Sequence, residues 1–327
     1  MVFNKLKRLT VGALICLLIF TSCGSGQAQI ELYAMDTYMR MSAHGKGADK
    51  ALEKAAERIR ELDTRFSVSS ISGEIGTLLQ TGELSEPSPE LIEILTCAKT
   101  LWERTDGAYD VTAYALSRLW GFGESEQSVP SQADIERTLK EIGMEKIEFD
   151  ASRVRLNGAL GIDLGSVAKG FAGGEAAKIL KEEGVSGALL TLGGNVVTVG
   201  EKKSGELYRI GITDPRDTSK ICGYITVGET NVVTSGKYNR YFEADGKKFH
   251  HIIDAETGYP AENGVASVTV ICESGMWADA LSTALFLLGE QGALDYYSKY
   301  GGFEAILIMD DGRIVTTEGA RAIFKAA

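Results

Sequence analysis

Hydrophobic and polar positions change period several times along this chain, and those changes mark out its elements. Over 30–45, Ile30, Leu32, Tyr33, Met35, Tyr38, Met39 and Met41 alternate roughly, which predicts a strand with Met35-Asp36-Thr37 inside it. Over 48–62 the spacing becomes helical: Leu52, Ala55, Ala56, Ile59 and Leu62 share one face, with charges opposite. Residues 63–75 predict a turn through Phe66-Ser67, and Ser88 or Pro89 opens a helix running through Leu101 and Trp102. The segment 107–112 reads as a turn into a helical stretch ending at Trp120-Gly121-Phe122-Gly123. A polar loop over 123–131 and a short amphipathic helix over 132–142 follow.

The stretch 161–174, GIDLGSVAKGFAGG, reads as a strand end, a glycine turn and a helix start. Ala159, Leu160, Ile162 and Leu164 lead in, and Ser166 is the expected N-cap. Phe171, Ala176, Ile179 and Leu180 give the helical face. A helix start beside such a turn presents free N–H groups and a positive dipole end, which suits a phosphate, and Asp163 and Lys169 flank it. The spacing matches neither the P-loop nor the Rossmann fingerprint, and a capped strand-to-helix turn accounts for it equally well. Beyond it the pattern is strand-rich: 188–192, 196–199, 207–212, 222–227, 232–234, 249–253 and 265–272 are apolar or alternating runs. A helix over 276–288 and a hairpin of 305–309 with 313–316, around Asp311-Gly312, close the chain. Local hairpins mixed with helices predict an α+β fold with mixed, largely antiparallel sheets rather than a doubly wound parallel one.

Composition changes the picture at the N-terminus. Lys5, Lys7 and Arg8 precede the apolar run 11–20, too short for a mature membrane span, and Phe20-Thr21-Ser22-Cys23 follows. This resembles a bacterial lipobox. Residues 1–22 then form a lipoprotein signal peptide, Cys23 carries lipid, and 23–29 form a tether to a domain over 30–327. The expected location is exported, lipid-anchored to the membrane on its periplasmic face. Without the three leader cations the chain holds 31 basic against 45 acidic residues, a net charge of −14, which argues against a nucleic-acid partner. Cys97, Cys222 and Cys272 remain, with no C-x-x-C spacing, so buried thiols are expected rather than a disulfide framework or zinc site.

Two constellations carry candidate chemistry. In 250–260, HHIIDAETGYP, two of three histidines precede an acid and a Gly/Pro turn. Adjacent strand residues face opposite ways, so at most one histidine enters a given site, and Asp254 could orient it as a general base. Asp279 and Thr283 lie four apart on an otherwise small and apolar helix face. They form a hard oxygen pair suited to Mg²⁺, although dipole capping by Asp279 and back-bonding by Thr283 would also explain them. The turns at 193–195 and 234–238 add hydroxyls and glycines, each weak alone.

Together with MDT at 35–37, FS at 66–67, GAYDVT at 107–112, WGFG at 120–123, LGGN at 192–195 and TDP at 213–215, these motifs resemble the ApbE family of flavin transferases over nearly the whole mature chain. The resemblance implies an ApbE-like fold and a Mg²⁺-dependent FAD:protein FMN transferase. Such an enzyme cleaves FAD and joins FMN through a phosphoester to an acceptor threonine. It implies a metal site of Asp279, Thr283 and the Ser166 carbonyl. It implies FAD contacts at Met35, Ser69, Ala108, Tyr109, Asp110, Lys169, His251 and Ile253, with His251 as the base. The implied acceptors are subunits of sodium-translocating NADH:quinone reductases and Rnf-type complexes. The chain departs from the family pattern at Asp36, Ser69, Leu79 and Ala255; Ser69 bears on transfer against hydrolysis, because a larger residue usually meets the nucleotide there. The competing readings are a Mg²⁺-dependent FAD pyrophosphatase releasing FMN and AMP, and a non-catalytic flavin-binding lipoprotein.

Overall fold

The structure, a computed structural model, describes residues 26–123, 126–159 and 161–327. The Cys23 and Leu160 positions lie outside the described residues. Eight antiparallel strands form the central sheet in the order Gln27–Ala34, Thr37–His44, Gly187–Leu192, Asn195–Gly200, Thr230–Gly236, Val265–Cys272, Glu304–Met309 and Ile314–Thr316. The helices Ala48–Phe66, Ala168–Glu182 and Gly275–Tyr300 pack on one face and enclose the main core. A three-stranded sheet of Tyr208–Asp214, Asp217–Val227 and Phe324–Ala326 covers part of the other face. There Ile210, Ile225 and Val227 meet Val232, Ile271 and Ile306. This double covering explains why Val265–Cys272 is buried at seven of eight positions, Ser267 and Thr269 included. The architecture is α+β, as the element pattern predicts.

The expected strand at 30–45 is instead a hairpin, paired from Gln27↔His44 to Ala34↔Thr37. Its first strand starts inside the stretch read as tether. Met35 (φ 50°) and Asp36 (φ 55°) form the two-residue turn, both in the left-handed region such hairpins use. Period-two spacing continues through so tight a turn, and neither residue is the glycine that would have marked it.

Other boundaries shift. The first helix runs on through Phe66, and the segment read as turn contains the start of a further helix, Glu74–Thr81. Ser88 caps Pro89–Arg104 as expected, accepting from the Leu91 amide at 3.1 Å. Residues 161–164 form no strand, and the run 249–253 is strand only to His250. The final long helix continues past Leu288 through a kink at Gly289 (φ 71°), where Asn263 Nδ2 donates to the freed carbonyls of Phe286 (2.7 Å) and Leu287 (3.1 Å). Cys97 is buried and Cys222 and Cys272 half-buried, all as free thiols.

The helices Ala168–Glu182 and Gly275–Tyr300 meet at two glycines. A Cβ on Gly170 would stand 2.0 Å from the Gly275 carbonyl oxygen and 2.6 Å from Asp279 Cβ, whereas one on Gly174 would meet nothing within 4 Å. Gly170→Ala should therefore force the helices apart and cost at least about 1–3 kcal/mol. Gly174→Ala should stabilise by about 0.5–1 kcal/mol, as in an open helix interior. Chemical denaturation of the two variants beside wild type reads both signs; equal midpoints for the pair would refute this account of the contact.

Candidate active site

The close approach of the two helices places one carboxylate. Asp279, only 3% exposed, accepts the Gly170 amide on Oδ2 at 2.8 Å, and Lys169 Nζ stands 3.6 Å from the same oxygen. Lys169 Nζ also donates to the Gly165 carbonyl. Two sequence expectations are corrected here. Ser166 is not the N-cap: the cap position is Val167, with no side-chain bond, and Ser166 Oγ pairs with Tyr109 Oη at 2.9 Å. Nor does the helix offer a row of free amides to a phosphate. The Val167 and Ala168 amides donate to the Leu164 carbonyl, and the Gly170 amide goes to Asp279. A carboxylate already holds the anion position at this positive helix end.

Asp279 and Thr283 share a helix face, as their spacing predicts. Thr283 does not back-bond to its helix; its Oγ1 lies 3.1 Å from Ser235 Oγ, which lies 2.7 Å from Ser282 Oγ. Asp279 Oδ1 has no hydrogen-bond partner among the described residues. A nearly buried carboxylate with one open oxygen, beside a hydroxyl, fits a hard cation. Among the described residues no group of three or more His, Cys, Asp or Glu side chains could hold a metal, so an ion here would complete its shell with backbone, water or ligand oxygens.

The two histidines divide as adjacent residues should, and hydrogen-bond direction separates their roles. His250 is buried; its Nε2 faces the Ala261 carbonyl at 3.1 Å and its Nδ1 accepts the Ile252 amide at 3.3 Å. Both nitrogens are spent, so it is a structural residue. His251 is half-buried, and its Nδ1 faces the Arg240 carbonyl at 3.2 Å. A carbonyl only accepts, so Nδ1 carries the proton and Nε2 keeps its lone pair. No described residue hydrogen-bonds that Nε2. Burial, then the charge of the Arg240 guanidinium, pushes the His251 pKa down to about 4; burial also lowers that of His250.

Asp254 does not orient His251, contrary to expectation. Its carboxylate accepts the Glu256 amide at 2.8 Å and its carbonyl accepts the Gly258 amide, closing its own turn. The residue that does hold the imidazole, Arg240, carried no motif and supplies only a carbonyl, so side-chain reasoning passed over it. Trp120 Nε1 donates to the Gly258 carbonyl at 2.8 Å, and Phe122 meets the His251 ring edge-on at 6.3 Å. These contacts give the WGFG motif a positional meaning: it anchors the turn and flanks the imidazole.

Met35 is half-buried at its hairpin tip, and Arg240 Nη2 reaches the Asp36 carbonyl at 3.5 Å. Ser69 is exposed and bonds Ser67 Oγ. Ala108 is half-buried and Tyr109 is buried, which raises its phenol pKa. The Asp110 carboxylate is committed to the fold, accepting Thr112 N (2.8 Å) and Oγ1 (2.6 Å) on one oxygen and Met144 N (3.0 Å) on the other. Ile253 packs into a small core with Leu116, Trp120, Ile135 and Ile142, so its side chain serves packing.

A family model described as the ApbE family matches residues 35–307. The FAD:protein FMN transferase of Haemophilus influenzae is 31% identical over 281 residues, spanning 82% of this chain and 81% of that protein. That of Salmonella typhimurium is 30% identical over 306 residues, spanning 89% and 87%. Among solved structures, the ApbE protein of Thermotoga maritima aligns with a TM-score of 0.84 at 32% identity, over 91% of this chain and 99% of its own. The flavin transferase ApbE from Vibrio cholerae aligns at 0.82 and 26% identity, over 92% and 100%. The matched span takes in the Met35 turn, the His251 strand end and the Asp279 helix alike, and the chain belongs to the ApbE family.

Proposed function

We propose that this chain is a FAD:protein FMN transferase that attaches FMN through a phosphoester to a threonine of an exported or membrane redox protein. The observation that carries the reading is that one cation, Lys169, acts both on a histidine whose Nε2 is free and on a nearly buried, half-satisfied carboxylate. In the reaction the acceptor hydroxyl forms a bond to the FMN phosphorus of FAD, the pyrophosphate P–O bond breaks, and AMP leaves. His251 Nε2 takes the hydroxyl proton, since a neutral hydroxyl is a weak nucleophile. Its lowered pKa keeps that nitrogen unprotonated through the neutral range. Lys169 supplies positive charge where phosphate charge must be neutralised. Asp279, Thr283 and the Ser166 carbonyl would hold Mg²⁺, which when bound offsets charge on the transferring phosphoryl group. Acceptors of the NADH:quinone reductase or Rnf type, and FAD as substrate, follow from the family resemblance.

His251→Gln should leave FAD affinity nearly unchanged and slow transfer to an acceptor by roughly 10²–10⁴-fold, the range of general-base catalysis. His250→Gln should instead lower thermal stability. If the two variants lose transfer equally, His251 is not the base. The pH dependence follows in sign: both folded-state histidine pKa values lie below the unfolded value near 6.5, so the unfolded chain binds more protons as pH falls. Their contribution to stability is complete above about pH 6.5 and declines toward pH 4, and His251→Gln should flatten that decline in denaturation series.

Asp279→Asn keeps an acceptor for the Gly170 amide but removes the charge. It should abolish Mg²⁺-dependent AMP release from FAD while the protein stays folded. AMP release without an acceptor would identify hydrolysis as the main activity; tight FAD binding with no AMP at all would leave a flavin carrier.

Export and lipid anchoring through Cys23 complete the proposal. No helix among the described residues is long and apolar enough to cross a membrane. Cys23→Ser should move the protein from the membrane fraction to a soluble exported form, and persistence in membranes would remove lipidation as the anchor.

A further inference from the structure

The three hydroxyls beside Asp279 have protons whose directions can be assigned one after another. Ser282 Oγ lies 2.8 Å from the Asp279 carbonyl, which can only accept, so the single Ser282 proton is spent there. Ser282 is fully buried and has no water to turn to. In its 2.7 Å contact with Ser235, Ser235 must then be the donor. Ser235 has no second proton, so in its 3.1 Å contact with Thr283 the donor is Thr283. The chain runs one way, from Thr283 through Ser235 and Ser282 to the backbone of Asp279.

We propose that Ser235 and Ser282 are positioning residues: they commit the Thr283 proton to Ser235 and leave the Thr283 oxygen as a lone-pair donor to a cation shared with Asp279. The inference rests on the metal reading above. Without the relay the Thr283 hydroxyl is free to turn its proton toward the ion, where a hydroxyl proton opposes coordination. Because the relay ends on the Asp279 carbonyl, it also ties the hydroxyl ligand to the residue that supplies the carboxylate. Bonds aligned in this way polarise one another, so the set acts as a unit.

The test is Mg²⁺ binding to the full chain by calorimetry, and Mn²⁺ binding by electron paramagnetic resonance, with no FAD present. Ser235→Ala should weaken Mg²⁺ binding by about 3- to 10-fold, the usual weight of one hydrogen bond. Ser235→Thr keeps the hydroxyl and should bind within about twofold of wild type. Ser282→Ala touches no ligand, yet it should weaken binding like Ser235→Ala, because it frees the Ser235 proton to reverse onto Thr283. The double variant should bind no more weakly than Ser235→Ala alone, since Ser282 acts only through Ser235. Thermal unfolding of each variant is read alongside; should Ser282→Ala not fold, the Ser235→Ala and Ser235→Thr pair decides. Wild-type affinity in both alanine variants, or additive losses in the double, overturns the relay alone. A wild-type chain that binds no Mg²⁺ overturns the metal site and the relay with it.

Discussion

The Asp279 carboxylate meets the Gly170 amide across two helices whose backbones come too close for a Cβ. Taking a carboxylate out of water costs several kcal/mol unless bonds and charge replace the lost hydration. One N–H, a helix dipole and a nearby ammonium supply part of that replacement and leave one oxygen unserved. The arrangement suits a cation, and it can exist only while glycines let the helices meet.

The histidine is placed by a different constraint. Strand pairing ends at His250, whose ring is locked by two backbone contacts, and the next residue emerges with one nitrogen fixed and one free. The Arg240 carbonyl accepts both the His251 amide (3.1 Å) and the ring Nδ1–H, so a single oxygen sets backbone position and tautomer together. Trp120 anchors the following turn through the Gly258 carbonyl. Gly258 sits at φ 75° with a Cβ position 2.4 Å from Ile135, so a side chain there would lift the turn off its small core.

Much of this was legible in the sequence because it depends on period and spacing. The i, i+4 relation of Asp279 and Thr283, the opposite facing of His250 and His251, and the strands around 188–199 and 265–272 follow from side-chain direction alone. What escaped depends on contacts between distant residues or on backbone groups. The Met35-Asp36 turn hid inside an alternation that it does not interrupt. The amides at the 168–182 helix start were expected to be open, and a residue more than a hundred positions away takes one of them. Asp254 looked like a partner for chemistry because it stands beside a chemical residue, and it is engaged by its own turn instead; the Ser166 hydroxyl, expected to cap the helix, bonds Tyr109. The Asp110 carboxylate likewise has both oxygens taken, by Thr112 and Met144.

These errors share a direction, and the reason is physical. Near a buried site most polar groups must be satisfied by the protein itself, since an unpaired one costs about 1–3 kcal/mol. A sequence presents every such group as a candidate for chemistry; the hydrogen-bond network then removes nearly all of them. Those left with capacity include His251 Nε2, Asp279 Oδ1 and the Thr283 oxygen whose proton is committed elsewhere. Each is an acceptor, and Lys169 stands beside them as a cation. A site of spare acceptors next to one ammonium suits a ligand that brings anionic phosphate together with its own counter-ion, and a second substrate that must lose a proton. Phosphoryl transfer to a hydroxyl has that demand, and it needs charge and position from the protein rather than a covalent intermediate.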